Sequence, residues 1–108
     1  MFDTKEFVVG DNTYTLKKFP TIEGMKIRKE LYQMHQEGGG VPEVEFQIKV
    51  ICAGATVNSI QIDRKKFETH FRGKFEEMDA VFTEVIDFNF GLSGQGDELG
   101  NGQDATAE

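Results

Sequence analysis

The sequence predicts a small, mostly helical α+β domain: an N-terminal β-hairpin followed by about four helices and a disordered, acidic, Gly-rich C-terminal tail. Three observations lead to that class. Apolar and polar residues alternate over Thr13–Phe19, apolar residues recur at steps of three and four from Ile22 to Phe90, and they almost vanish after Gly91. The boundaries that follow are one domain over residues 1–90, with a hairpin at 6–19 and helices at about 22–36, 43–54, 63–72 and 74–89, and a tail over 91–108.

Glu6–Val9 and Thr13–Phe19 are β-rich runs on either side of Gly10-Asp11-Asn12, a cluster of turn formers. Tyr14 and Leu16 alternate with Thr15 and Lys17, so one face of the second strand is apolar. Pro20 ends the strand because it cannot donate to a ladder, and Thr21 is placed to cap the first helix. That helix carries Ile27, Leu31 and Met34 at helical spacing, with Met25 and Tyr32 beside them. Gly38-Gly39-Gly40 stops it and acts as a hinge.

Pro42 suits the first turn of a second helix, where Glu43 and Glu45 complement the helix dipole. Its stripe is Val44, Ile48, Ile51, Cys52 and Ala55, widened by Phe46 and Val50. The β-branched run Val44–Cys52 also fits a buried strand; helix is the preferred reading. Gly54 ends the element, and Asn58–Ile62 becomes a short extended link. Asp63 caps the third helix, which carries Phe67 and Phe71. In the stretch FETHFRGKF, Gly73 separates these two rings from Phe75. Phe75 then opens a fourth helix with Met78, Phe82 and Val85 at steps of three, four and three, broadened by Val81 and Ile86.

The bulk composition limits the function classes. The net charge is −7, and the tail's Asp97, Glu98, Asp104 and Glu108 leave −3 for residues 1–90. A nucleic-acid binder needs a basic face to displace counterions, and the short pairs at Lys17–Lys18 and Arg64–Lys66 are flanked by acids, so no nucleic-acid partner is expected. No apolar run approaches the roughly 18 residues of a membrane span, so no membrane partner is expected either. One cysteine, Cys52, cannot form an internal disulfide, which fits a reducing cytoplasm.

Residues that could carry chemistry are few. His35 and His70 are the two histidines, and Cys52 lies on an apolar stripe, where a small buried residue is the common reading. His70 beside Arg72 reads as a surface residue. Glu76 and Glu77 are adjacent and point to different sides of a helix, so they do not form a paired-carboxylate site. Asp97, Asn101, Gly102 and Glu108 match four positions of a calcium loop, but Leu99 stands where a third ligand belongs. No catalytic residue, metal site or cofactor is therefore expected, and a binding protein is the favoured class over an enzyme.

Binding material is plentiful by contrast. Seven of the ten phenylalanines lie between Phe46 and Phe90, more than a core of this size needs, so apolar surface is left for a partner. The candidate partner-binding residues are Phe71, Phe75, Met78 and Phe82 on one face, with Met25 and Met34 opposite.

The pattern Tyr14-Thr-Leu-Lys-Lys-Phe-Pro, a helix and a Gly-rich break, then Lys66-Phe-Glu-Thr-His-Phe-Arg-Gly-Lys-Phe running into Glu84-Val-Ile-Asp-Phe-Asn-Phe-Gly, resembles the tail assembly chaperones of long-tailed bacteriophages. The likeness covers about residues 6–91, and its most specific parts are His70–Lys74 and Asn89-Phe90-Gly91. The resemblance implies a small host-cytoplasmic protein that binds and solubilises the tape measure protein and is absent from the mature virion. It also implies a longer frameshifted form that recruits the tail tube protein. A homo-oligomer is compatible with it, and it supplies no catalytic residue. Two other readings remain: a structural tail completion or head–tail joining protein, and an adaptor or inhibitor of a host protein.

Overall fold

The computed structural model describes residues 3–38 and 40–91. The expected disordered tail from residue 92 onward, with its partial calcium-loop match, lies outside the described residues, as does Gly39 of the glycine hinge. Within them the element order is β1 (Thr4–Val9), β2 (Asn12–Lys17), α1 (Thr21–Gln36), α2 (Val44–Gly54), β3 (Ala55–Val57), β4 (Ile60–Gln61), α3 (Arg64–His70) and α4 (Phe75–Phe90). The hairpin-then-helices α+β class holds, and residues 44–52 are helical.

The link expected at Asn58–Ile62 is instead a second hairpin. β3 and β4 pair through Thr56↔Gln61 and Val57↔Ile60, and β3 pairs with β2 through Tyr14↔Val57 and Leu16↔Ala55, giving an antiparallel sheet in the order β1-β2-β3-β4. Two turn residues join β3 to β4, Asn58 at φ 49° and Ser59 at φ 68°. Positive φ at both positions is the turn geometry that matches strand twist, and neither residue is glycine, so the sequence hid it. Asn58 also accepts from the Thr13 backbone N–H at 2.9 Å, and its own N–H donates to the Thr13 carbonyl at 2.7 Å, clasping the two hairpins.

Helix starts differ from expectation in two places. Thr21 is the first residue of α1 rather than its cap: Pro20 occupies the cap position without a side-chain bond. Pro42 lies outside α2, because Glu43 stays extended at ψ 150°; Gln47 compensates by donating its amide to the Pro42 carbonyl at 2.8 Å. Asp63 does cap α3, accepting from the Lys66 N–H at 2.8 Å.

The core lies between one face of the sheet and helices α2 and α4. Tyr14 and Leu16 point inward from β2, Ala55 and Val57 from β3, and they meet Phe46, Val50 and Ile51 of α2 and Val81, Val85 and Ile86 of α4. Both helices are rotated from the expected stripes: Val44 and Phe75 are exposed, and the inward faces run Phe46–Val50–Gly54 and Val81–Val85. Gly54 sets how closely α2 approaches α4. Asn89 fastens the far end of α4, accepting from the Phe19 N–H at 2.8 Å and donating to the Lys17 and Val85 carbonyls at 3.0 and 3.1 Å. α1 contributes one buried residue to the core, Ile27.

Candidate partner-binding site

The site is built where α3 turns into α4. α3 ends at His70, Phe71 caps it, and Gly73 takes φ 72°, a left-handed conformation that a glycine adopts without strain. The elbow sets the start of α4 beside α3 and the N-terminal end of α2. The three elements enclose an open trough of about 550 Å³ whose apolar lining is Val44, Phe67, Phe71, Phe75 and Met78. Phe75 is 71% exposed and Val44 67% exposed, so its walls project into solvent.

The floor is rigid by comparison. Phe71 is buried, stacked on Tyr14 at 6.1 Å between centroids and 7° between planes, and tilted against Phe67 at 5.3 Å. Of the six expected binding residues, the trough therefore unites Phe71, Phe75 and Met78, with Phe71 as floor. Phe82 is half-buried outside it, edge-on to Phe46 at 6.1 Å. Met25 and Met34 do not face the trough. Met25 lines a dent with Phe19 and Phe90, and Met34 lines another with Val41 and Glu43. The same α1 stripe that predicted them is wound around a different side of the domain.

Behind the trough floor lies a polar network that the sequence did not disclose. His70, expected on the surface, has a side chain only 10% exposed, and its Nε2 lies 2.8 Å from the Tyr14 hydroxyl. The hydroxyl donates to Glu77, whose carboxylate, 14% exposed, also accepts from Asn12 Nδ2 at 2.9 Å. Asn58 Nδ2 in turn donates to Asn12 at 3.1 Å, so the network reaches both hairpins. With Tyr14 donating to Glu77, the His70 ring contributes its Nε2 proton to the Tyr14 oxygen.

Burial first, then the hydrogen bond and charge of Glu77, push the Tyr14 phenol far up, so it stays protonated as a donor. Burial, together with Lys74 and Lys66, lowers His70 against the opposing pull of Glu77. Burial alone would raise Glu77, but the hydrogen bonds from Tyr14 and Asn12 and the charges of Lys74 and His70 hold it below the usual carboxylate range. The network is thus a neutral histidine, a neutral phenol and a charged carboxylate. The hydroxyl, the His70 Nε2 and one Glu77 oxygen are all engaged with one another or with Asn12, which is the arrangement of a structural tie. One signal in the sequence pointed to it: a tyrosine on the buried face of β2 needs a polar partner for its hydroxyl.

Burial pushes the Cys52 thiol up, with Asp63 adding to the shift, which disfavours the thiolate. Among the described residues, no group of three or more His, Cys, Asp or Glu is placed to hold a metal ion. No helix there is long and apolar enough to cross a membrane. No family model matches the chain, and neither a curated protein nor a solved structure matches it.

Proposed function

We propose that this chain is a phage tail assembly chaperone that binds apolar helical segments of the tape measure protein and keeps them soluble during tail morphogenesis. One observation carries the reading: the trough between α2, α3 and α4, where Phe75 and Val44 stand out in solvent around a fixed aromatic floor. Apolar walls open to water on a rigid base suit capture of an amphipathic helix by its apolar face. The resemblance of residues 66–75 and 84–91 to such chaperones supports the same reading from an independent side. The net charge of −7 adds a second property a chaperone needs, since like-charged loaded complexes repel one another.

The test is co-expression with tape measure segments, comparing the soluble fraction for the parent chain and Phe75→Ala. Phe75 is exposed and packs little, so the variant keeps the parent's melting temperature. As an aromatic anchor its removal weakens capture by about 30-fold, and the client moves to the pellet. Equal protection by a folded Phe75→Ala protein refutes the assignment of the trough. Mass spectrometry of purified virions checks the other half: a chaperone is absent there, and stoichiometric copies would identify a tail component instead.

A further inference from the structure

The rim of the trough is cationic in an anionic protein. Lys65, near the start of α3, and Arg72, just past its end, both line the opening, with Glu68 between them as the one lining acid. Neither cation forms an ion pair among the described residues. The neighbouring Arg64 shows what a cation on this helix does when a carboxylate is within reach: it grips Glu45 through two bonds of 2.8 and 2.7 Å. Lys65 and Arg72 bracket Phe67 and Phe71 along the chain, Lys65 within α3 and Arg72 two residues past its last residue.

We infer that the trough accepts an amphipathic helix of a partner protein in which carboxylates flank an apolar pair. This rests on the capture reading above and specifies its client. The apolar pair drops between Phe75, Met78 and Val44 onto Phe71, and the two carboxylates meet Lys65 and Arg72 at the ends of α3. The chain's own residues 92–108 fit this pattern poorly. Between Asp97 and Asp104 the one apolar residue is Leu99, so no apolar pair is flanked there by carboxylates.

The experiment uses the full chain and three fluorescent peptides: a helix with Leu at i+3 and i+4 and Glu at i and i+7, the same helix with Lys at i and i+7, and a synthetic copy of residues 92–108. Fluorescence anisotropy should show the Glu peptide binding about tenfold tighter than the Lys peptide, with the gap closing at high salt. Lys65→Glu with Arg72→Glu, both on the surface, should invert the preference, and Phe75→Ala should weaken both helices. Equal affinity for the two helices overturns the charge rule while leaving capture intact. Binding of neither overturns the capture reading itself, and this inference with it. Tighter binding of the 92–108 peptide than of the Glu helix makes the chain's own tail the occupant and overturns the inference. So does concentration-dependent self-association that Phe75→Ala abolishes and the Glu peptide does not displace.

Discussion

Gly54→Ala adds one methyl group where α2, α4 and Phe19 converge. Its Cβ would overlap Val85 Cγ1 outright and stand 2.9 Å from Phe19 Cε1, whereas carbon atoms rest at about 3.5–4.0 Å. Val85 is fully buried, so it has no free space to retreat into, and α2 must move off α4 instead. Removing a helical glycine would by itself stabilise by at most about 1 kcal/mol, least of all in the last turn. Overpacking against two fixed neighbours costs about 3 kcal/mol, at the upper end of its usual range. The net loss is about 2 kcal/mol, or roughly 10 °C in melting temperature for a domain of this size. Urea unfolding followed by circular dichroism measures it, with an unchanged m-value showing that stability alone has moved. A midpoint equal to or above the parent's would refute the close approach. The double variant Gly54→Ala with Val85→Ala provides the internal check: trimming Val85 relieves part of the overlap, so the pair must cost less than the sum of its singles.

Two further outcomes follow from polar contacts. Asn89→Ala strips a donor from the Lys17 and Val85 carbonyls and an acceptor from the Phe19 N–H, and should cost about 2 kcal/mol in the same urea assay. Acid should loosen the domain through the network: His70 and Glu77 both have native pKa values below their ordinary ones, so the unfolded chain binds more protons than the native one. Their contribution is complete above the ordinary histidine value of 6.5 and is lost as pH falls, first through His70 and then through the carboxylate range. His70→Gln should flatten the upper part of that loss, measured as unfolding midpoint against pH from about 7 to 5.

The class of fold was legible because it depends on periods: two in β2 and about 3.6 in the helices, with turn formers between. The rotation of each helix was not, because α2 and α4 each carry more apolar residues than one face can bury. Val44 and Phe75 matched the helical stripes as well as Val50 and Val81 did, and only packing against the sheet selected the inner set. The second hairpin was illegible for a different reason: Asn58-Ser59 adopts a turn that ordinarily advertises itself through glycine. His70 looked like surface because Thr69 precedes it and Arg72 follows two positions on, while its hydrogen-bond partner Tyr14 lies 56 positions away. Phe71, Phe75 and Met78 could be grouped in advance since a single elbow joins them; Met25 and Met34 required the path of α1, which local spacing does not encode.

The residues behind the resemblance divide between holding the fold and lining the trough. Of the most specific matching positions, His70 belongs to the Tyr14–Glu77 network, Gly73 is the elbow, Asn89 is the clasp on Phe19, and Gly91 closes α4 in a left-handed conformation at φ 64°. Phe90 packs against Phe19 at 5.7 Å. Phe71, Arg72 and Gly73 also line the trough. Those most specific positions therefore serve both the scaffold and the trough, whereas the exposed walls Val44 and Phe75 lie outside them, and stability and capture can be separated experimentally. Asn89→Ala should lower stability and leave the affinity of the folded protein for helical peptides unchanged; Phe75→Ala should do the reverse. Exchange of the exposed Val44 and Phe75 should cost little folding energy, because the ties that hold the scaffold are buried elsewhere.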